Sequence, residues 1–160
     1  MKKFIILLAV AVLAFSVSDS AFAQRKRQTV TYASLSALAN ATTQNWGVGL
    51  AVGLRNYNRN SFVSFAPSIE VFGDWFPKDE VWGAFLVPEL GCAIGPAGFK
   101  LYPHSGFILG YSNQNNKFAW GSKHGFGLDF GKHFSLDFSL YAPEFKYDTR
   151  IWTSGITWRF

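Results

Sequence analysis

His133, Ser135, Asp137 and Ser139 fall at every second position of one short stretch, HFSLDFS. On an extended chain alternate side chains share a face, so these four residues line up. They are the residue types of a hydrolytic set, in which an acid orients a histidine and the histidine activates a serine hydroxyl. The spacing works against that chemistry. Two steps along a strand cover about 7 Å, so His133 and Asp137 cannot touch without help from a neighbouring strand. The plainer reading is a set of interior ion pairs, because charges withdrawn from water need partners. A second candidate is Ser122 and His124 in GSKHG, again two apart on one face. The three histidines, His104, His124 and His133, share no metal-binding spacing. Cys92 is the lone cysteine, which excludes an intramolecular disulfide and a cysteine-based metal site. No phosphate loop or nucleic-acid module is present, and no cofactor is implied.

The elements that would position these residues follow from hydrophobic periodicity. Helical spacing is absent, and what recurs is period-two alternation broken by turn residues. Eight strands are expected, at 28–38, 46–57, 62–74, 81–92, 98–112, 117–130, 133–143 and 149–160. The connections are Ala39 to Asn45, Asn58 to Ser61, Trp75 to Glu80, Ala93 to Ala97, Asn113 to Asn116, Gly131-Lys132 and Glu144 to Asp148. Pro67, Pro88, Pro103 and Pro143 fall within or at the ends of these strands, where the missing N–H marks a bulge or a break. No repeat or linker divides the segment, and no apolar run beyond residue 23 is long enough for a spanning helix.

Alternation creates two faces. In the second strand Trp46, Val48, Leu50, Val52 and Leu54 oppose Gly47, Gly49, Ala51, Gly53 and Arg55. In the seventh, Phe134, Leu136, Phe138 and Leu140 oppose His133, Ser135, Asp137, Ser139 and Tyr141. The polar rows are rich in glycine and alanine, which suits the crowded interior of a narrow barrel and gains nothing on a wet surface. The apolar rows carry large aromatics near strand ends, among them Trp46, Trp75, Trp82, Trp120, Trp152 and Trp158, as aromatic girdles do in membrane barrels. The expected fold is therefore an all-β, antiparallel, eight-stranded up-and-down transmembrane β-barrel with its apolar rows toward lipid. By parity its lumen holds Arg55, Glu70, Asp74, Glu89, Lys100, His104, Lys117, Lys123, Asp129, His133, Asp137 and Arg159, whose signs nearly balance. Ser122 and His124 fall on the lipid-facing row.

The chain opens MKKFIILLAVAVLAFSVSDSAFAQ. Two lysines, a short apolar run and Ala21-Phe22-Ala23 read as a signal peptide, residues 1–23, cleaved before Gln24. Residues 24–160 then form the barrel domain, and the formal charge falls from +5 to +4. The basic run Arg25-Lys26-Arg27 reads as a solvated tail, and no nucleic-acid partner is expected of an exported chain. The closing residues TSGITWRF resemble the C-terminal insertion signal of Gram-negative outer-membrane barrels: a polar residue, a glycine two later, then two hydrophobics two apart. Here these are Thr153, Gly155, Trp158 and Phe160. The resemblance implies residence in the outer membrane, outer-membrane lipids as neighbours, and barrel-assembly machinery that reads the final strand.

The chain also resembles the lipid A deacylases in size and topology. Their motif, His-x-Ser-Asn near the last hairpin with a later Glu, has no counterpart in Leu140-Tyr141-Ala142-Pro143-Glu144, and Ser122-Lys123-His124 runs in reversed order on another strand. With both chain ends on the periplasmic side, 39–45, 75–80, 113–116 and 144–148 become short outer loops. An eight-stranded lumen has room only for side chains. The expected protein is non-enzymatic, with a filled polar lumen and a structural or interactive role in the envelope. A lipid-modifying acyl hydrolase is the alternative, and a secreted soluble barrel holding a small apolar ligand is the third reading.

Overall fold

A computed structural model describes residues 28–114, 117–146 and 150–160, without the side chain of Lys117. The signal peptide, the cleavage position and Arg25-Lys26-Arg27 lie outside the described residues, as do parts of the two loops 113–116 and 144–148. Among the described residues nine strands make eight staves: β1 (Gln28–Asn40), β2 (Asn45–Tyr57), β3 (Val63–Phe65), β4 (Ser68–Phe76), β5 (Val81–Ile94), β6 (Phe99–Ser112), β7 (Lys117–Phe130), β8 (Phe134–Pro143) and β9 (Ile151–Arg159). Every neighbouring pair is antiparallel, and the β1–β9 and β5–β6 ladders complete the circle. Both ends of the described chain lie at one rim, the terminal end. The β1–β2, β4–β5, β6–β7 and β8–β9 connections lie at the other, the loop end.

The third expected strand is split. Pro67 has no N–H for the ladder, and the chain breaks at Ala66-Pro67 into β3 and β4. The stave holds its register all the same: Phe65 faces Cys92 and Ser68 faces Glu89 on β5. Ala66 N–H still donates to Gly91 O at 2.8 Å, and Pro67 O accepts from Asn56 N–H at 2.9 Å. Strands also run further than alternation suggested. β1 reaches Asn40, β4 takes in Trp75 and Phe76, and β5 continues to Ile94. The loop after β4 becomes one 3-10 turn, Pro77–Asp79, ended by Glu80 in the left-handed region (φ 53°).

The apolar rows face outward. All six tryptophans are 48–70 % exposed, and Leu50, Val52, Val71, Leu86 and Ile156 stand between them on the bare wall. The interior is crowded where the sequence has glycine. A Cβ at Gly53 would strike the Tyr32 ring, and one at Gly91 the Tyr102 ring. Those strands carry glycine so that a tyrosine from a neighbouring stave can lie across them.

Val52 and Val71 face each other across the β2–β4 ladder near mid-wall. Val52→Arg or Val71→Arg should destabilise the barrel by about 2–4 kcal/mol in phospholipid vesicles, while Phe62→Arg at the rim should cost less than about 1 kcal/mol. Urea unfolding in vesicles reads both. Equal costs at the two depths would contradict a lipid-facing wall.

Candidate functional site

The lumen is layered. Its terminal half is filled by charge, and its loop half is lined by apolar rings around an open cup. In the terminal half four cations (Arg55, Lys100, Lys123, Arg159) share the space with four carboxylates (Glu70, Glu89, Asp129, Asp137) and His104. Lys123 Nζ lies 2.6 Å from Glu70 Oε1 and 2.7 Å from Glu89 Oε1, bridging two acids from β4 and β5. Tyr32 OH donates to the second oxygen of Glu70 at 3.0 Å, and Ser68 Oγ to that of Glu89 at 2.9 Å. His104 stands between Glu89, 3.4 Å from its Nδ1, and Asp137, 3.0 Å from its Nε2. Its ring stacks on Tyr102 at 5.0 Å.

Nearer the terminal rim, Arg159 Nη1 donates to Asp129 Oδ2 at 2.6 Å and to Tyr57 OH at 2.8 Å. Its Nη2 donates to the carbonyls of Gly131 and Phe134. Arg55 lies 3.5 Å from the other oxygen of Asp129, with its guanidinium over the Tyr102 ring, 3.7 Å from the centroid. Lys100 caps this end through the carbonyls of Ser61 and Gly95. Such a network costs desolvation and returns it only when each charge is matched. The layer therefore packs this half of the lumen with paired, buried side chains.

Two expected members differ. His133 is not in the lumen: it lies on the Gly131–His133 turn before β8 begins at Phe134, and it is exposed. Its ring stacks on Trp158 at 5.6 Å, and its Nδ1 contacts Arg159 O at 3.0 Å. Asp74 is on the lumen face but half-buried in the loop half, apart from the network. The serine–histidine–acid set does not form from His133. Asp137 instead meets His104 from β6, and Ser139 Oγ donates to Asp137 Oδ1 at 2.5 Å, so serine and histidine both address the acid and not each other. Ser135 Oγ has no hydrogen-bond partner.

On the outer wall Ser122 and His124 do meet. His124 Nε2 is 3.1 Å from Ser122 Oγ, and its Nδ1 is 2.8 Å from the hydroxyl of Ser105, the residue facing it on β6. Ser122 is not open to lipid, however: it is only 4 % exposed. Phe107 faces it across the ladder, Trp120 stands two residues before it, and Phe145 packs edge-on against both rings. Ser105 is exposed and escaped the sequence reading, because only the β6–β7 register shows that it stands opposite His124.

The cup in the loop half has a volume of about 390 Å³. Leu38, Phe72, Phe76, Phe85, Ile108 and Tyr141 line it. The lumen thus holds charged side chains in one half and is open in the other. Among the described residues no group of three or more His, Cys, Asp or Glu could hold a metal ion.

No family model matches this chain, and no curated protein matches it. Among solved structures it is similar to one described as a de novo design of transmembrane beta-barrels, at a TM-score of 0.53 and 12 % identity, covering 82 % of this chain and 95 % of that one. The fold is that of a transmembrane β-barrel. At this identity the likeness extends to the fold alone.

Lys123→Met leaves Glu70 and Glu89 facing each other in a buried layer and should cost about 3–5 kcal/mol. The triple variant K123M/E70Q/E89Q should recover at least half of that loss in urea unfolding. Equal loss in both would mean that packing, and not charge matching, holds the layer.

Proposed function

We propose that this chain is an integral outer-membrane β-barrel of a Gram-negative envelope, with a structural or interactive role and no conducting pore. Residues 1–23 direct export, and the barrel-assembly machinery reads Thr153, Gly155, Trp158 and Phe160 on the closing strand. The observation that carries this reading is the combination of an outward aromatic and aliphatic wall with paired, buried charges across one half of the lumen. The last strand fits the role: Thr153 and Gly155 are buried toward the lumen, while Trp158 and Phe160 stand bare on the outside.

The experiment is gel mobility of envelope fractions, boiled against unboiled. The outer-membrane fraction should show a heat-dependent shift, and deletion of Phe160 should abolish assembly. The purified barrel should give no stepwise conductance in a planar bilayer. A soluble, unshifted protein would overturn the membrane reading, and steady channel openings would overturn the absence of a conducting pore.

The cluster on the outer wall favours one second reading, a lipid-modifying acyl hydrolase. In that reading exposed Ser105 is the nucleophile, His124 the base, and buried Ser122 fixes the ring, since a base must lie within hydrogen-bond reach of the proton it takes. Loss of the protein should then alter the acylation of envelope lipids, and Ser105→Ala should reproduce that change with the barrel intact. An unaltered lipid profile in the deletion strain removes this reading.

A further inference from the structure

The cup at the loop end is not explained by a structural role. A narrow barrel can fill its interior with side chains, as the terminal half of this one does. The loop half instead keeps about 390 Å³ open, within the roughly 300–1,000 Å³ typical of small-molecule sites.

Its walls combine two kinds of group. The first is aromatic: Phe72 stacks on Tyr141 at 5.0 Å and on Phe85 at 6.4 Å, so ring faces and edges form much of the lining. The second is acidic. Among the described residues that line it, Asp74, Asp79 and Glu144 accompany Lys146, three carboxylates and one ammonium. Lys146 is held by Glu144 at 2.5 Å, and Asp79 accepts from Asn45 Nδ2 at 2.5 Å. Asp74 is different: its carboxylate takes backbone N–H groups, those of Gly83 and its own, and among the described residues no cation pairs with it. Gly83 faces Asp74 on β5, and a Cβ there would collide with both Asp74 Oδ1 and the Phe85 ring. The glycine lets the Asp74 carboxylate and the Phe85 ring close over it side by side, so that charge and aromatic ring share one wall of the cup.

A carboxylate partly withdrawn from water with no cation beside it is costly. A ligand that supplies a charged N–H removes that cost, and aromatic faces attract the same cation. We propose that the cup binds small apolar organic amines, with Asp74 as the counter-ion to the ammonium and Phe72, Phe85 and Tyr141 enclosing the hydrocarbon body. Neutral molecules of the same shape gain the apolar contact only, and anions meet a wall that is already negative. The inference depends on the lumen of the folded barrel and not on which membrane holds it.

The test uses the full-length folded barrel in lipid nanodiscs at mildly alkaline pH, with empty nanodiscs as the baseline. Three probes of one shape are titrated by equilibrium dialysis: 1-adamantylammonium, 1-adamantanol and 1-adamantanecarboxylate. The ammonium should bind about tenfold more tightly than the alcohol, the gain of one charge-assisted contact, and the carboxylate should not saturate. Asp74→Asn should bring the ammonium down to the level of the alcohol. Ala119→Trp, which adds a ring to the cavity lining, should weaken both. Equal binding of ammonium and alcohol by the unaltered protein overturns the proposal, as does an amine preference that survives in D74N. Should D74N not fold, nuclear Overhauser contacts in the unaltered protein decide the matter. Adamantyl protons must reach the rings of Phe72 and Phe85, and their absence refutes the site.

Discussion

Pairing of Tyr32–Asn40 with Ile151–Arg159 removes the two free edges that an open sheet of eight staves would carry. In a hydrocarbon environment an unpaired strand edge is untenable, since each bare N–H or C=O costs several kcal/mol. Closure therefore has to come from the ladder itself, and the rest of the structure adapts to it. A circle of eight staves is narrow. Side chains on its inner face meet across the lumen from strands far apart in sequence, as Lys123 meets Glu70. The same circle places every alternate residue outside, where only large apolar groups are inexpensive.

The inner face resolves this crowding in two ways that divide the barrel along its axis. Toward the terminal rim, charges are matched one against another, and tyrosines from β1 and β6 lie over glycines of neighbouring staves. Breaking a buried pair costs more than the pair contributes, so the layer resists change and specifies its own geometry. Toward the loop rim the interior turns apolar around Leu38, Phe72, Phe76 and Ile108. Apolar packing tolerates a cavity that a charged layer would have to fill, and that is where the open volume lies.

Much of this architecture was legible along the chain, because alternation is a local property. Which face of β2 or β7 carries Trp46 or Trp120 follows from parity alone, and both stand outside. What parity cannot supply is the neighbour. Ser105 and His124 are nineteen positions apart, and their meeting depends on a register that no single strand encodes. Asp137 found its histidine on β6 for the same reason. His133 was misplaced because the strand starts one residue later, and the turn before it turns the ring out against Trp158. Pro67 was visible as an obstacle, yet the continuation of the same register on both sides of it was not. The cup was illegible too, since a cavity is a shortfall of volume summed over strands from β1 to β9.

Arg159 occupies the closing strand, and its two terminal nitrogens donate to Tyr57 of β2, Asp129 of β7 and two carbonyls around the β7–β8 turn. Those groups come together only when the full circumference is in place. A sheet that curls without β2, or that shuts one stave short, strands a guanidinium in a confined space with nothing to receive it. The seam thus carries a check on the count of staves: the chain can zip shut without an unmatched charge at one circumference and no other.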